Sequence, residues 1–88
     1  MPVLSTFYGI IVRIYKEDDG QHHQPYIHAS YSGQAVVITL DGEIIEGILP
    51  RNKMRLLLAW VEIHQDALKA NWELVSEGQP VFRIEPLK

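Results

Sequence analysis

The stretch "YIHASYSGQAVVITLDGEIIEGILP", from Tyr26 to Pro50, decides the fold. It holds short runs of β-branched and aromatic residues that alternate with polar ones, a pattern typical of strands. Ser32-Gly33 and Asp41-Gly42 separate the runs, and an Asp-Gly pair is a strong hairpin signal. The hydrophobic period changes after Pro50 from two to the helical value. The stretch therefore predicts consecutive antiparallel strands that lead into a helical part.

The segment before this stretch predicts one more strand and a loop. "TFYGIIVRIYK" (Thr6 to Lys16) alternates along its length, with Val12 and Ile14 on one face and Arg13 on the other. "EDDGQHHQP" (Glu17 to Pro25) is acidic and carries glycine and proline, which favours a loop.

The segment after Pro50 predicts helices. Apolar residues recur at helical spacing from Met54 to Val75. We expect two helices with a break near "HQDA", where Asp66 caps the second one. Gly78 and the proline after it end the helical part. Both tryptophans fall in the helical pattern and are predicted to lie in the core.

Taken together, these patterns predict a single α+β domain. An antiparallel meander of about four strands covers residues 6–48, two helices cover residues 50–77, and a short edge strand covers residues 81–85. The helices are expected to pack on one face of the sheet.

Composition narrows the function. The 88 residues include no cysteine, which excludes disulfides, thiol nucleophiles and zinc–thiolate sites. The net charge of −3 does not predict non-specific binding to nucleic acid. The longest apolar run, "LLLAWV", is too short to span a bilayer, and no signal peptide precedes the first strand. We therefore expect a cytoplasmic protein that is not bound to a membrane and has no cofactor.

The histidines are the first candidate site. His22, His23 and His28 lie within seven residues. Imidazoles bind divalent metals, but no H-E-x-x-H motif or carboxylate at a fixed offset accompanies them, so no metal site is predicted. The alternatives are solvated loop and surface residues, or an imidazole that acts in catalysis.

A polar sheet face is the second candidate site. Alternation places His28 with Tyr26 and Ser30, opposite Ile27 and Ala29. Arg13 of the neighbouring strand is expected on the same face. Such a set can bind a phosphodiester and carry out metal-free acid–base chemistry on RNA. The alternative is that these are ordinary solvent-facing residues of a half-covered sheet.

Two features of the first helix concern ligands and partners. Arg51 and Arg55 are four residues apart near the helix N-terminus, a place that favours phosphate. They are alternatively solvated residues that pair with Glu43 or Glu46. The run from Leu56 to Val61 is uncharged and predicts contact with the second helix, with a partner protein, or with a second copy in a homodimer.

The chain resembles a small bacterial family, domain of unknown function 4160, over nearly its whole length. The resemblance rests on "MPVLSTFYGIIV", "HQPYIHASY", "DGEIIEGILPR", "LLLAWVEIHQDAL", "NWE" and "IEPL" in this order. The family's histidine segment runs H-x-P-H-[FI]-H, which His23, Pro25 and His28 match, whereas Tyr26 stands at the middle histidine. The resemblance implies no particular reaction, but it suggests a second small protein as partner, as in toxin–antitoxin pairs.

Three hypotheses result. In the first, the protein belongs to a toxin–antitoxin-like pair and acts on RNA. His28, His23 and Tyr26 are then the catalytic residues, and the anion is held by Arg13, Arg51 and Arg55. In the second, the chain is a non-catalytic protein-binding or homodimerisation module. In the third, it is a histidine-based, metal-dependent hydrolase.

Overall fold

The computed structural model describes residues 2–14 and 26–88. The elements in chain order are β1 Val3–Phe7, β2 Ile10–Ile14, β3 Tyr26–Tyr31, β4 Gln34–Thr39, β5 Ile44–Gly47, α1 Arg51–Ile63 and α2 Gln65–Ser76. The five strands form one antiparallel sheet in which each strand pairs with the next. This arrangement confirms the predicted α+β meander with two helices, with five strands in place of about four.

The additional strand comes from a turn inside the segment that the pattern presented as one strand. Tyr8 and Gly9 have φ angles of 51° and 80°, and Phe7 pairs with Ile10 across them. Two left-handed residues make the tight turn that suits a hairpin. A side chain at Gly9 would also lie 2.9 Å from the ring of Tyr31. The apolar alternation continues through the turn, so periodicity alone could not locate it.

The other two hairpins form where they were predicted. Ser32 and Gly33 have φ angles of 47° and 83° and connect β3 to β4. The loop of residues 40–43 connects β4 to β5 and contains Gly42, with φ 91°. It is closed by bonds from Thr39 N to Glu43 O (2.9 Å) and from Glu43 N to Thr39 Oγ1 (3.1 Å).

The sheet has one face covered by α1 and an opposite face, called the open face below. On the open face His28 and Ser30 are half-buried, whereas Tyr26 and Thr39 at its end are buried. Val12, Ala29 and Val36 stand opposite one another on β2, β3 and β4 and are all buried. They share the core with Leu57 and Trp60 of α1, which are fully buried. The residues that alternate with them point to the opposite face, away from α1. The face on which a side chain lies therefore decides whether it is available for function.

The helical part is divided at His64, within the predicted break. His64 precedes α2 as its N-cap residue, whereas Asp66 lies inside the first turn, so the prediction that Asp66 caps the helix is wrong. The Gln65 side chain donates to Leu40 O and to Val61 O, which holds the break against the end of β4. Trp60 is fully buried, as predicted, and Trp72 is half-buried.

Residues 81–85, which were predicted to form a short strand, form no ladder in the structure. Ile84 N donates to Leu4 O of β1 (2.8 Å), and Trp60 Nε1 donates to Glu85 O (2.8 Å). Pro80 and Pro86 enclose this segment and lack the N–H groups that a strand needs. This segment is therefore attached to β1, α1 and α2 by single hydrogen bonds.

Candidate functional site

Arg13 and His28 form a direct cross-strand pair on the open face of the sheet. Arg13 is the register partner of His28 on β2 and β3, and both are half-buried. Side chains directly opposite each other in an antiparallel pair have Cβ atoms about 4.5–5.5 Å apart. The two side chains therefore lie beside each other on one face, as predicted, and Nε2 of the His28 imidazole is itself buried.

A shallow depression of about 160 Å³ lies at this pair, lined by Ile11, Arg13, His28, Ala29, Ser30 and Ala35. Ile11 pairs with Ser30, and Ser30 pairs with Ala35, in the row next to the arginine and the histidine. The depression thus offers a cation, an imidazole and a hydroxyl beside the apolar side chains of Ile11 and Ala35. Pockets for whole small-molecule ligands usually measure roughly 300–1,000 Å³. This one fits a single group of a larger molecule that lies across the sheet.

The charge of Arg13 is not neutralised by an ion pair with any described residue. The ion pair that is found within residues 2–14 and 26–88 joins Lys88 and Glu85 at 3.5 Å, far from Arg13 in the sequence. Glu46 lies in the same row of the sheet, but Val37 separates it from His28. The arginine therefore presents a positive charge on the open face, in a protein whose net charge is negative.

Tyr26 supports the imidazole from the protein side. Its ring is 5.9 Å from that of His28 and 6.3 Å from that of Trp72 on α2. Only 5% of Tyr26 is exposed. It therefore contacts the site through His28, and its aromatic packing sets where the imidazole lies.

The other predicted site residues lie elsewhere. Arg51 and Arg55 are exposed at the start of α1, which packs on the covered face of the sheet. They do not share the depression with Arg13, and any anion that they hold is a separate one. They also form no ion pair with Glu43 or Glu46, so the alternative of a local ion pair is not observed in the described residues.

The structure brings no metal-binding set together in the residues that it describes. His64 packs on Trp60 with ring centroids 5.4 Å apart, in the helical layer and apart from His28. No group of three His, Asp or Glu side chains within residues 2–14 and 26–88 is placed to hold an ion. His22 and His23 lie outside the described residues, so the predicted catalytic role of His23 stays a prediction.

Two residues with structural roles carried no clear signal in the sequence. Asn71 is fully buried on α2, and its Oδ1 accepts a bond from Phe82 N (2.9 Å). Its Nδ2 makes no hydrogen bond to a described residue. Lys53 donates to Tyr8 O (3.0 Å) and lies 4.7 Å from the centre of the Tyr31 ring. For Asn71 the sequence offered one signal, a polar residue among the apolar positions of α2, and this signal indicates a structural hydrogen bond.

No helix in the described part of the chain has the length and apolar character that crossing a bilayer requires. Neither the search of curated proteins nor the search of solved structures finds a match. The model of a family described as Domain of unknown function (DUF4160) matches residues 9–73, which include β2 to β5, α1 and most of α2. The chain belongs to the DUF4160 family.

Proposed function

We propose that the open sheet face binds a phosphodiester of RNA and that the protein acts on RNA as one member of a toxin–antitoxin-like pair. The observation that carries the proposal is the cross-strand pair of Arg13 and His28 at a depression smaller than the usual pocket for a small-molecule ligand. A guanidinium binds phosphate through two parallel N–H···O bonds, and it stays charged at any physiological pH. The proposal places the protein in the cytoplasm, where RNA is available.

RNA is favoured over other phosphate compounds by the shape of the face. Arg13, His28 and Ser30 are half-buried on this side, and the apolar Ile11 and Ala35 lie beside them. A polymer can lie across such a surface with one phosphate in the depression. Exposed sheet faces are used in this way by single-strand-binding domains, whose side chains contact successive nucleotides.

The proposed chemistry needs no metal. Arg13 pairs with the non-bridging phosphate oxygens and stabilises the negative charge that develops on them. The RNA 2′-hydroxyl oxygen attacks phosphorus, the bond to the 5′-oxygen breaks, and a 2′,3′-cyclic phosphate forms. One group accepts the hydroxyl proton and another protonates the leaving oxygen. His28 takes one of these roles, and the proposal assigns the other to His23.

Binding is tested with a matched pair of arginine variants. Arg13→Ala and Arg55→Ala each remove one positive charge, but only the first changes the open face. A charge-assisted bond contributes roughly 1.5–3 kcal/mol, so Arg13→Ala should weaken the binding of single-stranded RNA about tenfold or more. It should also reduce the slope of log affinity against log salt concentration by about 0.7. Equal losses for the two variants contradict the proposed location.

Catalysis is tested with His28→Ala, with retained folding checked by circular dichroism. Expression of the unchanged protein in a bacterial host should arrest growth and produce RNA fragments that end in cyclic phosphate. The variant should do neither. Unchanged growth arrest or cleavage by the variant contradicts the role of the imidazole.

A second candidate function is a non-catalytic binding module that uses α1. The run from Leu56 to Val61 contributes Leu57, Trp60 and Val61 to the core, and this leaves Leu58 and Ala59 exposed. Two exposed apolar residues make a small contact surface. If they bind a partner, Leu58→Glu should abolish the complex in light scattering and leave RNA binding unchanged.

A further inference from the structure

The outer edge of β5 is open. β5 is the last strand of the sheet, and Ile48 N just beyond it donates back to Ala35 O of β4 (3.1 Å). In residues 2–14 and 26–88 no backbone group pairs with the other side of β5. At the opposite edge, β1 accepts a bond from the C-terminal segment at Leu4. An open edge presents N–H and C=O groups that only another extended segment can satisfy as a series.

The side chains at this edge are apolar and exposed. Ile44, Ile45 and Ile48 are 56%, 50% and 66% exposed. The register shift between β4 and β5 leaves Ile45 without an opposite residue on β4. Monomeric proteins protect an edge strand with charged residues, proline, a bulge or short length, and β5 is short and has a register shift. Here Glu46 is the single charged residue of β5, so burial of the isoleucines favours association.

Charges around β5 are separated by sign along the chain. Asp41 and Glu43 are exposed at the hairpin end of β5, and Arg51 and Arg55 are exposed after its other end. Leu58 lies against the hairpin, because its Cδ2 is 3.3 Å from the point where a Cβ of Gly42 would be.

The two arginines lie on the β5 side of α1. Arg51, Arg55 and Leu58 follow the spacing i, i+4 and i+7, which places them on one stripe of the helix. Because Leu58 contacts the hairpin, this stripe of α1 faces the hairpin. The end of the edge at Asp41 and Glu43 is therefore acidic. Arg51, seven residues before Leu58 on the stripe, makes the other end basic, and Arg55 lies between the two ends.

We propose that the β5 edge binds β5 of a second copy in antiparallel orientation, which makes one sheet continuous across a two-fold homodimer. A two-fold axis through β5 places the acidic end of each copy beside the basic end of the other. A parallel arrangement would place like charges together and is disfavoured. The surface is thus complementary to itself, as an isologous dimer requires. The interface lies apart from Arg13 and His28, so it does not depend on the proposed action on RNA.

The test is the molecular mass of the full chain by light scattering over a range of concentrations. The unchanged protein should have the mass of a dimer. Ile45→Lys should have the mass of a monomer with unchanged circular dichroism, and Ile48→Lys serves as a second variant at the same edge. Ile63→Lys is the control, because Ile63 is 65% exposed but lies at the far end of α1.

Charge reversal tests the orientation. Arg51→Glu should raise the dimer dissociation constant about tenfold. Asp41→Arg together with Glu43→Arg in the same chain should restore the original value. If the unchanged protein is a monomer, the proposal is overturned, even if that monomer binds a different protein. A dimer that persists in Ile45→Lys and Ile48→Lys also overturns it. So does a charge swap in which Asp41→Arg and Glu43→Arg fail to restore the dimer that Arg51→Glu weakened.

Discussion

The conformation of Gly47 gives a quantitative prediction about how β5 is held in the sheet. Gly47 has a φ of 80°, a region where a residue with a side chain costs about 1–2 kcal/mol. A Cβ at this position would also collide with the carbonyl oxygen of Ala35. That oxygen accepts the bond from Ile48 N, and losing a hydrogen bond costs about 0.5–1.5 kcal/mol. We therefore expect Gly47→Ala to reduce the free energy of unfolding by about 1.5–3.5 kcal/mol.

Gly33→Ala is the matched control for this prediction. Gly33 has a φ of 83°, but nothing lies within 4 Å of its missing Cβ. This change should cost the conformational part alone, about 1–2 kcal/mol. Urea denaturation measures both values, and thermal unfolding should separate the variants by about 4 °C or more if they differ by about 1 kcal/mol. Equal destabilisation would refute the claim that Gly47 is required by its contact with β4.

Three further predictions concern the core, the C-terminal segment and the support of the imidazole. Leu57→Ala should cost about 2–5 kcal/mol in chemical denaturation. Ile63→Ala, at a residue of the same helix that is 65% exposed, should change stability by less than about 0.5 kcal/mol, and similar values for the two variants contradict the orientation of α1. Asn71→Ala should lower the free energy of unfolding by about 0.5–1.5 kcal/mol and accelerate hydrogen exchange at the Phe82 amide. Unchanged exchange means that the Asn71 side-chain bond does not hold the C-terminal segment. Tyr26→Phe should keep the affinity for RNA because the ring remains, and a large loss of affinity indicates that the phenol hydroxyl contacts the anion.

Much of the fold was predictable because local signals agreed with the tertiary arrangement. The alternation of Ile27, His28 and Ala29 gave the register of β3, since a one-residue slip would bury the imidazole. Asp41-Gly42 and Pro50 located the last hairpin and the start of α1. The Tyr8-Gly9 turn was missed because its residues continue the apolar pattern of the strands around them.

The candidate site was predictable only in part. Alternation placed Arg13 and His28 on one face, but sequence spacing does not tell which face the helices cover. Arg51 and Arg55 are close to each other in the chain and suggested an anion site together with Arg13. They lie instead in the helical layer, because α1 packs its apolar stripe on the other face of the sheet. The open edge of β5 depends on strand order, which periodicity does not report.

The central claim is that the open sheet face, with Arg13 and His28, binds RNA. The most direct measurement is an NMR titration of the full chain with a short single-stranded RNA, in which ring and backbone signals are followed. We predict that the His28 ring signals and the amides of Ile11 and Ser30 shift as RNA is added, while the amides of Arg51 and Arg55 do not. Shifts confined to α1, or no shifts on the sheet face, would contradict the account.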